Sequence, residues 1–323
     1  MALKEIGLNK TVGVNLQESR KLGFFGEIRK NGFLYALTVP AILFFIIFCY
    51  VPMFGLVIAF QDFDMIKGVF GSKLNGIENF KFLFQTGDIW NVTANTLYLN
   101  VLFIVFSTIV AVALAIMFNE TRQRHYKRIS QTISLLPYFI SWVVIYLVLY
   151  SFVNQDNGIL TMLLAKFGIQ LKIFSSPQSW PVLLVLLKVW QGAGYSAIVY
   201  IATVTGIDPG IYEAAGIDGA SRWQKIWRIT IPILRPTIIL MTLFSVGRIF
   251  YGDFGMIYAL VGDNPLLFST TDVIDTYVLR MMRNLQDYGM ASAAGLLQSA
   301  LGFVFVFFAN KFAKRLDADS AIF

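Results

Sequence analysis

The ionisable side chains of this chain are few, and their spacing gives little material for catalysis. Asp272 and Asp275 come closest to a paired acid and base, but general acid–base work needs a positioned nucleophile or second base, and none accompanies them. They read as solvated residues on one helix face. The single Cys49 and the single His125 cannot build a disulfide framework or a metal cluster with others of their kind. No GxxxxGK[ST] pattern occurs, so the chain has no loop of that type to cradle nucleotide phosphates. Gly192-Ala193-Gly194 lacks the third glycine of a dinucleotide fingerprint and follows an apolar run, a context for close helix packing. Asn91-Val92-Thr93 fits a glycosylation acceptor, a three-residue pattern frequent by chance.

What remains is polar chemistry inside apolar segments. A charge at the centre of a membrane helix costs about 2.5–3.5 kcal/mol on insertion scales, so it faces a cavity or a partner. Arg248 and Asp253 are the clearest pair, with Tyr251 between them. Five residues apart, they lie about 140° round an ideal helix; Gly247, Gly252 and Gly255 give that helix room to distort. Either the pair touches a solute or Arg248 bonds backbone carbonyls in the bundle and Asp253 sits near the outer interface. Trp190, Gln191, Tyr195 and Gln298 are further pathway candidates: aromatic faces with hydrogen-bonding groups suit sugars, although Trp and Tyr also populate membrane interfaces.

These residues need a membrane scaffold to position them. The composition is 57% hydrophobic and 14% charged with a mean hydropathy of +0.66, too little charge to cover a soluble surface. Residues 31–61 contain no charged side chain, longer than the roughly 20 residues that cross a bilayer and than a signal-peptide core, so they read as a retained span kinked at Pro40 and Pro52. Five more spans are expected at about 94–118, 131–153, 180–205, 236–260 and 290–312. Most of the 26 Lys and Arg fall before the first span, in the loops after the second and fourth, and after the last. The positive-inside rule makes those segments cytoplasmic, with both termini inside. The net charge of +7 is therefore headgroup-facing, with Arg122, Arg124, Lys127 and Arg128 a topology signal; it does not point to nucleic acid. Ala291, Gly295, Ser299 and Gly302 form a small-residue stripe suited to helix–helix contact.

The loop after the fourth span is the most patterned segment. Asp208 N-caps a helix opening on Pro209, Gly219 ends it with a left-handed residue, and Ser221 with Gln224 forms a capping box for a second helix. That helix carries Trp223, Ile226, Trp227 and Thr230 on one face and Arg222, Lys225 and Arg228 on another, and Pro232 is expected to end it. The sequence thus predicts a helix-turn-helix lying against the membrane, from which movement would pass through Pro232 and Pro236 into the fifth span.

In Glu213-Ala214-Ala215, Asp218-Gly219-Ala220, Ile229 and Pro232, this segment resembles the EAA loop, by which permease subunits of bacterial ABC importers dock onto their ATPase. Ile231 stands where the family usually has leucine. Pro40 and Pro52, GIENF at 76–80, LLP at 135–137, TTDVIDTYVLR and YGMASAAGLLQS are similar to the polysaccharide and oligosaccharide branch, so the likeness spans roughly 33–323. The resemblance implies an all-α polytopic permease of type I architecture with six transmembrane helices. It further implies a bacterial cell-membrane location, a second and similar permease subunit, two ATP-binding subunits carrying the ATP and Mg, an extracytoplasmic solute-binding protein, and an oligosaccharide substrate. This chain itself would carry no cofactor and do no catalysis. The expected divisions are a cytoplasmic segment at 1–32, a membrane domain at 33–312 containing the coupling loop at 206–235, and a cytoplasmic tail at 313–323. An ion-coupled secondary transporter would need intramembrane carboxylates, of which Asp253 is the only one well within a span. A membrane glycosyltransferase would need clustered acids or metal ligands in a loop, which the loops lack.

Overall fold

A computed structural model describes residues 30–316 apart from Arg122 and Leu171. The expected cytoplasmic lead-in and most of the tail lie outside the described residues. The chain divides into two compact units, Met1–Gly55 and Leu56–Phe323.

In the first unit, helix α1 (Gly32–Phe45) runs into a π-helical turn, Ile46–Tyr50, and then Val51–Met53. Pro40 sits inside α1, where its missing N–H leaves one carbonyl of the preceding turn without a ladder partner. The candidate membrane span as a whole is Gly32–Phe60.

The second unit opens with the two-residue strands β1 (Gln61–Asp62) and β2 (Lys73–Leu74), antiparallel with Gln61 opposite Leu74. The GIENF residues explain how this hairpin is held. Gly76 takes φ +67°, a conformation open to glycine without strain, and Asn79 Nδ2 donates to the carbonyls of Ala59 and Gln61 at 3.0 and 2.9 Å. Then follow α2 (Glu78–Gln85), α3 (Asp88–Glu120), α4 (Arg124–Leu135), α5 (Trp142–Val153), α6 (Ile159–Ala165), α7 (Trp180–Thr205), α8 (Pro209–Ile217), α9 (Arg222–Val246), α10 (Phe254–Val261), α11 (Ile274–Arg280) and α12 (Tyr288–Leu316). Among the described residues, five helices are long and apolar enough to cross a membrane, or six if the bent pair α4 and α5 is one span. The all-α expectation holds.

α3 and α7 pack along one another at the centre. At one end Leu99 and Phe103 of α3 meet Trp180 and Leu184 of α7 and Met256 and Leu260 of α10; at the other, Ala111 and Ala115 meet Ala197, Tyr200 and Leu234. The small residues let the backbones approach, which is how helices associate where lipid removes the hydrophobic drive. Gly194 shows the limit: a Cβ there would stand 1.9 Å from the carbonyl oxygen of Ser134, so the close packing expected of Gly192-Ala193-Gly194 is realised at its second glycine.

Two expectations about continuity are overturned, and the span expected at 131–153 is bent within its bounds. The third span is not straight: α4 and its 3-10 extension Leu136–Phe139 meet α5 at 94°. Pro137 lies in that extension, Ile140 and Ser141 are extended, and Ser141 caps α5 through Val144 N–H. The fifth span does not run through to residue 260. It stops at Val246 and restarts at Phe254, with Asp253 as the N-cap of α10. Finally, Pro232 does not end the second helix of the loop. The helix widens into a π turn, Ile226–Thr230, and continues to Val246. A π turn relieves the crowding that a proline imposes on the preceding turn, so Pro232 is absorbed and the loop helix and the span become one rod.

Candidate functional site

The loop after α7 is built from its own caps. Asp208 Oδ1 accepts from Gly210 N–H at 2.9 Å with Pro209 in the first turn. At the far end of α8 Gly219 adopts φ +77°, while Ala220 N–H reaches the carbonyl of Ala215 and Gly219 N–H that of Gly216, the paired bonds of a left-handed helix stop. Ser221 and Gln224 exchange bonds at 2.7 and 3.3 Å and start α9. Lys225 Nζ donates to the carbonyl of Tyr212 at 2.8 Å, and the Tyr212 and Thr230 hydroxyls lie 2.9 Å apart. The pair is therefore clamped internally. Its outer surface is partly apolar: Ile217, Trp223 and Trp227 are 88%, 71% and 63% exposed, and Glu213, Ala214, Asp218 and Gly219 are exposed with them while Ala215, Ala220 and Ile229 are half-buried. The exposed face thus carries these three large apolar side chains together with the charges of Glu213 and Asp218.

At the other end of α9 lies a cavity of about 640 Å³ lined by α3, α7, α9 and the segment between α9 and α10. It brings together five of the predicted pathway residues: Gln191, Tyr195, Arg248, Tyr251 and Asp253. Trp190 is not among its lining residues and is half-exposed. Gln298 is buried and acts on the cavity wall from behind.

The break from Gly247 to Asp253 would leave backbone groups bare inside a bundle, where each unsatisfied group is costly. Other helices supply the partners. Asn100 Nδ2 of α3 donates to the carbonyls of Ile249 and Tyr251 at 3.0 and 3.1 Å. Gln298 Nε2 of α12 donates to Phe250 O at 2.8 Å and to Asp275 Oδ2 at 3.1 Å. That same Asp275 oxygen accepts from Gly252 N–H at 2.6 Å. The bend between α4 and α5 is treated alike, Gln191 Nε2 of α7 donating to Ile140 O at 3.1 Å.

The charges pair differently from expectation. Asp253 does not meet Arg248; its Oδ2 lies 2.5 Å from Lys188 Nζ of α7, while its Oδ1 caps α10 through Met256 N–H at 3.2 Å. The angle between Arg248 and Asp253 on an ideal helix is thus irrelevant, because neither residue stands in one. Asp272 and Asp275 are not solvated either. Asp272 is buried and forked by Arg280, which stacks on Phe268 at 4.3 Å. Asp275 lies in α11, outside the candidate spans. Burial pushes its carboxyl pKa up, opposed by the bonds from Gly252 and Gln298 and by the charge of Arg248. Lys188, Asn100 and Asp275 were missed as site residues. An intramembrane lysine and an intramembrane asparagine are signals in their own right, whereas nothing local marks Asp275 as facing a cavity.

The small-residue stripe divides. Ala291 is buried in the core with Ile249 and Phe250, a Cβ on Gly295 would meet nothing within 4 Å, and Ser299 and Gly302 lie beside Tyr251. Among the described residues no group of three His, Cys, Asp or Glu side chains is arranged to hold a metal ion.

A helical pair clamped at one end of a rod and a polar cavity at the other is the arrangement of a transport subunit, and comparison with known proteins bears on which. Residues 104–318 match the family described as the binding-protein-dependent transport system inner membrane component. The chain belongs to that family. This permease is 32% identical over 305 residues to Protein LplB of Bacillus subtilis strain 168, covering 94% of this chain and 95% of that one. It is also 32% identical over 304 residues to the polygalacturonan/rhamnogalacturonan transport system permease protein YteP of the same organism, covering 94% of each. Among solved structures it superposes, with a TM-score of 0.82 and 33% identity, on a chain from the crystal structure of a bacterial ABC transporter involved in import of the acidic polysaccharide alginate, over 91% of this chain and 99% of that one. The permease is accordingly a multi-pass membrane protein and a component of an ABC importer.

Proposed function

We propose that this permease translocates oligosaccharides handed over by an extracytoplasmic solute-binding protein, with ATP and Mg bound and hydrolysed on two partner subunits and a second permease completing the pathway. The relatives named for polygalacturonan and alginate transport support the sugar class. The complex sits in a bacterial cell membrane with both termini of this chain cytoplasmic, as the lysine and arginine distribution indicates.

One observation carries the coupling mechanism: α9 is a single helix from Arg222 to Val246. Its 25 residues span about 37 Å at 1.5 Å per residue. Glu213, Ala214, Ala215, Asp218, Gly219, Ala220, Ile229 and Pro232 form the element the ATPases grip. Because α8 is clamped to α9, displacement of the pair moves the rod, and the rod ends at Gly247, where the segment bearing Arg248, Tyr251 and Asp253 faces the cavity with Gln191 and Tyr195 opposite. A hinge–rod arrangement of this kind converts closure of the ATPases into a change of access. Trp190 contacts solute only outside the cavity described, and Gln298 serves by holding the broken segment.

The test is co-purification with the proteins encoded beside it. Stoichiometric recovery of a P-loop ATPase, with ATP hydrolysis stimulated by oligosaccharide-loaded binding protein, is the expected result. A chain that purifies without an ATPase and transports sugar on an ion gradient would overturn the proposal.

A further inference from the structure

We infer that the unwound segment Gly247–Asp253 is the substrate-reading element of the cavity, and that Arg248 on it selects oligosaccharides bearing a carboxylate over neutral ones of equal length. The inference rests on the importer reading above and names the substrate class of the same site.

The first support is that this backbone is held from several sides. The carbonyls of Ile249, Phe250 and Tyr251 are taken by Asn100 and Gln298, and Gly252 N–H is taken by Asp275. The segment presents its side chains from a backbone held in place by other helices, and preorganisation of this kind is what makes a polar contact selective.

The second support is a census of charge. Four acidic or basic side chains line the cavity: Lys188, Arg248, Asp253 and Asp275. Lys188 is bound to Asp253 at 2.5 Å. Asp275 accepts two N–H bonds through one oxygen, and its burial disfavours the charged form. Arg248 is exposed in the cavity and among the described residues has no carboxylate oxygen within 4.0 Å. Its guanidinium is thus the cation of this cavity without an ion-pair partner among the described residues, although its charge also acts on Asp275. A guanidinium matches a carboxylate with two parallel charge-assisted bonds, roughly twice as strong as those it makes to neutral sugar hydroxyls. An aromatic surface elsewhere in the cavity lining suits the ring of such a sugar: Tyr195 stacks on Tyr138 with centroids 4.1 Å apart and planes 6° from parallel. The volume of about 640 Å³ lies within the roughly 300–1,000 Å³ of ligand pockets.

The experiment uses the complete importer in proteoliposomes with its binding protein. The probes are trigalacturonate and fully methyl-esterified trigalacturonate, identical in length and differing in charge. The affinity of the soluble binding protein for each probe is measured separately and divided out. Wild type should take up the acid at lower half-saturating concentration than the ester. Arg248→Gln should cut the acid-to-ester preference on the order of 10- to 100-fold, the factor carried by one charge-assisted hydrogen bond, and Arg248→Lys should restore part of it. A preference unchanged within about twofold in Arg248→Gln, or wild-type uptake confined to the neutral probe, overturns the role of Arg248 while leaving the importer intact. Absence of ATP-dependent uptake of either probe, with no ATPase stimulation by any oligosaccharide, strikes the importer reading instead.

Discussion

Replacing Gln298 by leucine tests whether the break in the fifth span is a built feature. The substitution leaves an apolar side chain of similar bulk, one atom shorter, and removes two bonds, to Phe250 O at 2.8 Å and to Asp275 Oδ2 at 3.1 Å. The Phe250 carbonyl contact is buried, so water cannot replace it, and a buried acceptor left bare costs about 1–3 kcal/mol. Asp275 keeps Gly252 N–H at 2.6 Å, so its loss is partial and adds about 1 kcal/mol. The total is about 2–4 kcal/mol, against about 1–2 kcal/mol for Asn100→Leu, whose bond to Tyr251 O is solvent-exposed. Thermal unfolding of the purified complex in detergent, followed on this subunit, should therefore fall by several degrees for Gln298→Leu and by less for Asn100→Leu. Sugar-stimulated ATPase activity should drop in both, because the segment carrying Arg248 loses its fixed position. Unchanged melting and unchanged stimulation in Gln298→Leu would refute the argument that these amides hold the break open.

Three further outcomes are expected. Gly219→Arg should insert normally but lose the ATPase on co-purification, since φ +77° costs an L side chain about 1–2 kcal/mol and the arginine projects into the docking surface; normal recovery of the ATPase with normal uptake would remove the coupling assignment. Cysteines placed at Ser221 and Ser269 in a Cys49→Ala background should differ, only Ser269 reacting with an impermeant thiol reagent on spheroplasts, because the positive-inside rule puts them on opposite sides; first labelling of Ser221 would invert the topology. Lys188→Met should impair assembly or stability more than the double change Lys188→Met with Asp253→Asn, by roughly 1 kcal/mol in a pair that is about one-third exposed; additive effects would show that the two charges do not depend on one another.

The sequence alone determined what depends on neighbours along the chain. Lipid demands long apolar runs, and the helix stop at Gly219 and the capping box at Ser221 are closed by residues within five positions, so the spans, the loop helices and the family likeness were legible without coordinates. Arg248, Tyr251, Gln191, Tyr195 and Asp253 were found because a polar group in an apolar run must face something. Only the tertiary structure decided what they face. A break at Gly247–Asp253 is affordable because Asn100, Gln298 and Asp275 arrive from three other helices to satisfy it. Lys188, 65 residues away in the chain, rather than Arg248, five away, becomes the partner of Asp253. The same is true of Pro232: a proline read locally ends a helix, whereas here a π turn absorbs it and makes a coupling rod of two expected elements. Local rules state the cost of a bare backbone group or a lone charge; the fold decides which distant side chain meets it.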